Sequence, residues 1–349
     1  MTWSLPIVKI LFFTTLAFIL AMLVTPLLSH FLYKYKLGKR IRNNGFTPIF
    51  SKLHAHKAGT PTMGGILIWG TLLILIMLFY FLSSIWPNSG LAYFNFLTRP
   101  ETLLPLGVLL ATAIIGLVDD WLDVRGKGVA GGGGLKMRHR LIIYSLIALF
   151  GALWFYFKLD WTVFHVPFLG NFEIGAWYIP VFIFMIVATA FSVNETDGLD
   201  GLAGGTLLMA FGAFGVISYA LGRYDLATFC AVIIGSLLAF LWFNIPPARF
   251  YLGDTGSMSL GVTLGVIAML TNSSLLLIFI GFIFLLESLS VIVQVLSKKL
   301  RRKKVFLSSP LHHHYQALGW PEAKVVMRFW VVSAVGVVAG LIIFLLDHK

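Results

Sequence analysis

Charge is what this sequence has least of. Asp, Glu, Lys and Arg make up 11% of its 349 residues against 58% hydrophobic, and the mean hydropathy is +0.90. A soluble domain averages about 25% charged residues. The deficit excludes an ordinary soluble globular protein, a disordered chain and a collagen-like one. Cysteine is almost absent too. A lone Cys230 excludes an intrachain disulfide and any cysteine-based zinc or iron–sulfur site, and its apolar stretch makes it a small buried hydrophobe. Alternating segments of ~10 residues are missing, which excludes a membrane barrel. No A-x-A-like cleavage site follows the first apolar run, so that run is expected to be a retained span. The glycine run Gly131–Gly134 lacks a preceding strand and a following G-K-[ST]; it reads as a flexible loop, not a P-loop.

What the chain has in quantity is long apolar runs, as at Ile7–Leu28, Ile66–Leu82, Leu141–Phe157, Trp177–Val193 and Val325–Leu346. Each approaches the ~20 residues that a bilayer-crossing helix needs. The sequence predicts an all-α polytopic membrane protein, a single integral-membrane domain over 1–349. Ten spans are expected at roughly 7–30, 63–83, 101–118, 139–157, 177–193, 202–221, 226–243, 256–271, 274–297 and 327–346. An even number puts both termini on one side. The segments 34–62, 119–138, 194–201, 244–255 and 298–328, with Arg140 beside them, hold 21 of the 26 Lys and Arg. The positive-inside rule places that face in the cytoplasm and both termini in the periplasm. The basic clusters Lys34, Lys36, Lys39, Arg40 and Arg42, and Lys298 to Lys304, suit topology, anionic lipid and an anionic cytosolic substrate. They imply no nucleic acid. On the outer side, residues 158–176 predict a short hairpin in which His165 is structural.

The chemistry is expected at the acidic span ends. Of the 14 Asp and Glu, eight lie on the cytoplasmic face, and Asp119, Asp120, Asp197, Asp200 and Asp254 stand within a few residues of hydrocarbon. A charge there is costly and tends to be paired, metal-bound or functional. Three acidic clusters at one membrane level suggest convergence on a hard cation. Mg²⁺ takes oxygen ligands, usually one or two carboxylates plus substrate phosphates. Adjacent Asp119 and Asp120 can supply a metal ligand and a proton acceptor. In Asn194–Ala203, glycines let backbone approach a ligand, and Asn194, Asp197 and Asp200 can hydrogen-bond a sugar or base. In Trp242–Ser257, Asn244 offers an amide, Tyr251 an aromatic face for a base, and Asp254 a carboxylate at the start of the eighth span. Lys57 and Thr62 can contact an anionic or polar ligand. The consecutive His312, His313 and His314 cannot all face one metal from a single helix. One or two of them can meet a phosphate while the rest structure the loop. Glu287, inside the ninth span, is expected to be hydrogen-bonded within the bundle and outside the site.

The blocks AGTPTMGG (58–65), GLVDDWL (116–122), VNETDGLDGLA (193–203), FLWFNIPPARFYLGDTGS (240–257), ESLSVIVQV (287–295) and HHHYQALGWPEAKVVMRFW (312–330) cover nearly the whole chain. In this order they resemble the phospho-N-acetylmuramoyl-pentapeptide transferases. These are the MraY translocases of the polyprenyl-phosphate N-acetylhexosamine-1-phosphate transferase superfamily. The chain departs from the family's usual residues at Asp123, Phe191, Glu195 and Tyr251, so no catalytic lysine is carried onto Asp123. The resemblance implies a multi-pass protein of the bacterial inner membrane with its active site on the cytoplasmic face. It implies a Mg²⁺-dependent transfer of phospho-MurNAc-pentapeptide from UDP-MurNAc-pentapeptide to undecaprenyl phosphate, giving lipid I and UMP in peptidoglycan synthesis. The lipid bilayer is the third partner, and a homodimer is a candidate assembly that the sequence does not fix.

Under that reading Asp254 ligates Mg²⁺ and Asp120 supports the metal site or the lipid phosphate. Asp119 positions or deprotonates the lipid phosphate, while Lys136 and one of His312, His313 and His314 contact phosphates. Lys57, Asp200, Asn244 and Tyr251 hold the uridine. Direct attack by the lipid phosphate is preferred to a covalent aspartyl intermediate. Two other classes fit less of the chain. An intramembrane prenyltransferase would use Asp119-Asp-Trp-Leu-Asp123 as a DDxxD motif but leaves the histidine loop without a role. A transporter would suit ten spans, but matching discontinuous segments in two halves are not evident.

Overall fold

The computed structural model describes residues 4–38, 57, 59–126 and 134–348. Lys39, Arg40 and Arg42 of the first basic cluster and most of the glycine run lie outside the described residues. The long apolar runs are helices: α1 Ser4–Lys34, α2 Gly65–Ile85, α3 Leu103–Arg125 and α4 Met137–Lys158. After α4 come the hairpin β1 Val163–Val166 and β2 Gly170–Glu173, then α5 Tyr178–Thr196, α6 Leu202–Ala220, α7 Tyr224–Asn244 and α8 Gly253–Leu270. The chain ends with α9 Leu277–Ile280, α10 Phe282–Arg301, α11 Leu311–Ala317 and α12 Glu322–Asp347. Among the described residues, nine helices are long and apolar enough to cross a membrane, and a bent pair makes a tenth. The protein is therefore an all-α polytopic membrane protein. The predicted hairpin is present, with His165 paired to Asn171 in antiparallel register.

The ninth span differs from expectation. Residues 274–297 do not form one straight helix, because Ser274–Ile280 meets Phe282–Arg301 at 85°. The residue pattern of α10 explains the change of course. Its inward face is polar, with Glu287, Ser288, Ser290, Gln294 and Ser297 buried, while Leu289, Ile292, Val293, Leu296 and Leu300 are exposed. A helix in lipid hides its polar groups and shows its apolar ones, the reverse of a soluble helix. Ser288 Oγ donates to Ser192 Oγ at 2.8 Å, and Gln294 Oε1 accepts from the N–H groups of Val305 and Phe306.

Helix α8 sits at the centre, packed against α3 and α5, with every residue except Asp254 buried. Its sequence suits that position. Gly256, Gly261 and Gly265 let neighbouring backbones close in, which is how helices associate without a hydrophobic drive between them. Ser259 Oγ donates to the carbonyl of Thr255, and Thr255 Oγ1 to the carbonyl of Ala113 on α3, so hydroxyls in hydrocarbon are satisfied. One end of the bundle gathers the C-termini of α3, α5 and α7 with the N-termini of α2, α4, α6, α8 and α12. Asp119, Asp120, Asp197, Asp200 and Asp254 all lie at that end.

Candidate active site

The C-terminal third of α3 and the first turns of α4 and α8 bring three charged groups together. Arg140, four residues into α4, places Nη2 2.8 Å from Asp119 Oδ2 and 2.8 Å from Asp254 Oδ2. Its Nη1 donates to Asn194 Oδ1 at 2.8 Å, and Asn194 Nδ2 donates to Asp254 Oδ1 at 2.7 Å and Ser257 Oγ at 2.9 Å. One guanidinium thus neutralises two carboxylates from different helices. Sequence reading missed it, although an arginine one turn into an apolar span was itself a signal, since such a charge needs a partner.

Asp119 and Asp254 differ in access. The Asp119 side chain is 0% exposed and Asp254 17%. Asp119 lies beneath the Gly134–Leu135 backbone, whose Leu135 N–H donates to its Oδ1. Each Asp254 oxygen accepts one bond, which leaves a lone pair on each for a further partner. An all-oxygen donor at a partly open position suits Mg²⁺, so Asp254 fits the ion.

Asp120 has different work. Its Oδ1 accepts from Thr62 Oγ1 at 3.0 Å and the Asp254 N–H at 3.1 Å, and its Oδ2 accepts from the Thr255 N–H at 3.0 Å. The carboxylate is 3% exposed and caps the N-terminus of α8 from a neighbouring helix. There it meets orphan donors and the positive end of the helix dipole. Gly253, at φ +74°, brings the α8 backbone this close, because a Cβ there would stand 2.6 Å from both Asp120 Oδ2 and Thr62 Oγ1. Asp120 and Thr62, expected to meet metal, lipid phosphate or substrate, are here committed to helix docking.

The second group lies on adjoining loops. Lys57 Nζ pairs with Asp200 Oδ1 at 2.6 Å and with Glu322 Oε1. Glu322 also accepts the Asp200 N–H at 2.8 Å, and Asp200 Oδ2 accepts the Ala248 N–H at 3.1 Å. Asp197 is close enough to act electrostatically on the Tyr251 phenol, as Asp200 and Glu322 do. Burial pushes that phenol up to about 12, so the ring is neutral at physiological pH. Glu322 was not singled out from sequence as a site residue. Asn244 departs from expectation. Its Oδ1 accepts the Gly201 N–H and its Nδ2 donates to the Phe250 carbonyl, both at 2.8 Å, with the residue 5% exposed. Both ends of the amide hold loops in place, so it offers no edge to a base in this structure.

The histidines divide similarly. All three lie on the short helix α11. His312 is 0% exposed, with Nδ1 3.1 Å from Glu287 Oε2, and its ring packs on the Gly198 backbone, where a Cβ would stand 2.2 Å from Nε2. It structures the loop, and Glu287 is its buried partner, consistent with the place in the bundle expected for that carboxylate. His313 Nδ1 pairs with Gln316 Oε1 at 2.9 Å, and His314 Nδ1 accepts the Leu307 N–H at 3.2 Å. Lys136 is exposed at the N-terminus of α4, and its ammonium forms no ion pair among the described residues.

The arrangement has the parts of a phosphate-handling site: a partly open carboxylate, a half-buried arginine, an exposed lysine and a base-sized aromatic ring. Comparison with known proteins gives the family. Residues 102–272 match the family model described as Glycosyl transferase family 4. Residues 57–68 match the one described as Phospho-N-acetylmuramoyl-pentapeptide-transferase signature 1. The chain is 38% identical over 338 residues to the Chloroflexus aggregans protein named phospho-N-acetylmuramoyl-pentapeptide-transferase, covering 93% of this chain and 86% of that one. It is 40% identical over 337 residues to the protein of that name from Shouchella clausii, covering 96% and 97%. It is 38% identical over 336 residues to that of Bacillus subtilis, again covering 96% and 97%.

Proposed function

This chain belongs to the phospho-N-acetylmuramoyl-pentapeptide transferase family, and from that premise we propose that it transfers phospho-MurNAc-pentapeptide from UDP-MurNAc-pentapeptide to undecaprenyl phosphate. The products are lipid I and UMP, and the step belongs to peptidoglycan synthesis. The observation that carries this reading is the joining of Asp119 and Asp254 through Arg140 and Asn194, beside the Lys57–Asp200–Glu322 ion pairs, at one end of the bundle.

Phosphoryl-type transfer asks a protein mainly for positioning and charge neutralisation. A phosphate oxygen of the lipid attacks the phosphorus attached to the sugar, and the bond to UMP breaks, with UMP leaving as the phosphate anion. Asp119 orients the incoming lipid phosphate once Gly134–Leu135 shifts from its carboxylate. Arg140 and Lys136 hold phosphate oxygens, joined by His313 or His314. Tyr251 stacks on the base, and Lys57 with Asp200 hold the uridine. Asp254 holds Mg²⁺, which when bound supplies charge neutralisation at the diphosphate. Purified protein should release UMP from UDP-MurNAc-pentapeptide only when undecaprenyl phosphate and Mg²⁺ are both present. Release without the lipid acceptor would overturn the reading.

The site faces the cytoplasm of the bacterial inner membrane, and both termini lie outside. The asymmetry of Lys and Arg supports this orientation. A reporter fused after Lys304 should read cytoplasmic and one after Lys349 periplasmic. The opposite pair of readings would put the site out of reach of a cytosolic nucleotide sugar.

Nucleotide affinity tests the stacking role. Tyr251→Ala should weaken UDP-sugar binding by about 1–3 kcal/mol, the usual scale for a base on an aromatic ring. Tyr251→Phe should cost little, because the ring face is kept and the hydroxyl bonds only to protein groups, the Lys57 carbonyl at a long 3.5 Å and the Thr60 side chain. Unchanged binding by the alanine variant would remove Tyr251 from the site.

A further inference from the structure

A cavity of about 650 Å³ lies at the other end of the bundle. Helix α8, with 18 residues, puts about 27 Å between the two ends. There the hairpin meets the last turn of α12. One ligand atom each of His165, Asp347 and His348 lie within 4.8 Å of one another at the cavity wall. His165 Nε2 is in contact with Asp347 Oδ2, and His348 Nδ1 lies 3.6 Å from the same oxygen while donating to the Phe344 carbonyl at 3.1 Å, a bond it gives up on taking a metal ion. The His165 ring stands between two oxygens, since its Nδ1 is 2.8 Å from Asn171 Oδ1. A neutral imidazole has one N–H and cannot satisfy both. The second oxygen is met when the ring is protonated, when that nitrogen holds a metal ion, or when the Asn171 amide turns its NH₂ toward Nδ1. Two of the three groups are also held from behind. Asn171 fixes the His165 ring, and the Phe168 N–H donates to Asp347 Oδ1 at 2.7 Å, leaving Oδ2 turned to the histidines. Such outer bonds orient metal ligands and set their tautomer.

We propose that His165, Asp347 and His348 form a second, divalent transition-metal site of the Zn²⁺ class, facing the cavity at the end of the bundle opposite the acidic cluster. Two imidazoles and one carboxylate suit zinc rather than magnesium. Three protein ligands leave a fourth position open, and the cavity supplies room for water or a polar ligand there. Small side-chain rotations would bring the three atoms to the ~2.0–2.2 Å bond lengths of such a site. His165, structural by expectation from sequence, gains these neighbours only through the fold, since Asp347 is 182 residues away along the chain.

The test uses full-length, tag-free protein in detergent, stripped with a chelator and then dialysed against Zn²⁺ or Co²⁺. Wild type should bind one equivalent of Zn²⁺ more than the His165→Asn/His348→Asn double variant. Its Co²⁺ form should show the visible ligand-field bands of a low-coordinate site, which the variant lacks. Any metal held by His312 to His314 is common to both proteins and cancels. Asn171→Ala keeps all three ligands but loses the orienting bond, so Zn²⁺ affinity should fall ~10–100-fold. Excess Mg²⁺ should not displace the bound ion. The unfolding midpoint without metal confirms that each variant is folded. Equal Zn²⁺ stoichiometry in folded wild type and double variant would overturn the proposal, leaving a His–Asp ion pair only.

Discussion

Asp254→Asn is expected to lower kcat at least ~10³-fold, about 4 kcal/mol of lost transition-state stabilisation. The substitution keeps size and removes charge. Asp254 is the more open of the two carboxylates on Arg140, and its oxygens each retain a lone pair for Mg²⁺. Arg140 still has Asp119 and Asn194 as partners in the variant, so the fold should survive, and the unfolding midpoint checks that. Asp119→Asn should also be severe, but through the lipid phosphate. A metal titration separates the two. Added Mg²⁺ should partly rescue Asp254→Asn and leave Asp119→Asn unchanged. A folded Asp254→Asn variant with near-normal turnover at low Mg²⁺ would remove the metal from Asp254.

Asp120→Ala should instead act on stability, by about 2–4 kcal/mol. Three donors, Thr62 Oγ1 and the N–H groups of Asp254 and Thr255, converge on this carboxylate at 3.0–3.1 Å. Bonds to a charged group contribute about 1.5–3 kcal/mol, and removing the acceptor strands buried donors. Asp120→Asn is no rescue, because its NH₂ would face an N–H or a hydroxyl donor. Thermal unfolding in detergent should show a lower midpoint for both variants, unaffected by Mg²⁺. If Asp120→Asn melted like wild type but lost activity with a raised Mg²⁺ requirement, Asp120 would be a metal ligand after all. The contrast is useful because adjacent aspartates look equivalent in sequence. On a helix they point about 100° apart, so one meets Arg140 and the other meets the end of α8.

Which residue types gather at the site was legible along the chain. Charge at the edge of hydrocarbon is costly wherever it falls, so Asp119, Asp200 and Asp254 stood out without any fold. The span count followed from the same cost, applied to runs of apolar residues. The loops rich in Lys and Arg separated from those poor in them by composition alone. Partnership was not legible. Arg140 and Glu322 serve groups far away in sequence, and a long side chain's partner depends on which helix ends the bundle sets side by side. Asn244 and Asp120 carry the atoms of a binding site, yet buried backbone donors must be satisfied first, and both are used for that. The bend at Gly281 was hidden because hydropathy sums over a helix without regard to direction, while packing responds to which face is polar. His165 and Asp347 became neighbours only when the hairpin folded over the last helix. Local chemistry selects what a residue can do; the close packing of distant helices decides which of those options its neighbours leave open.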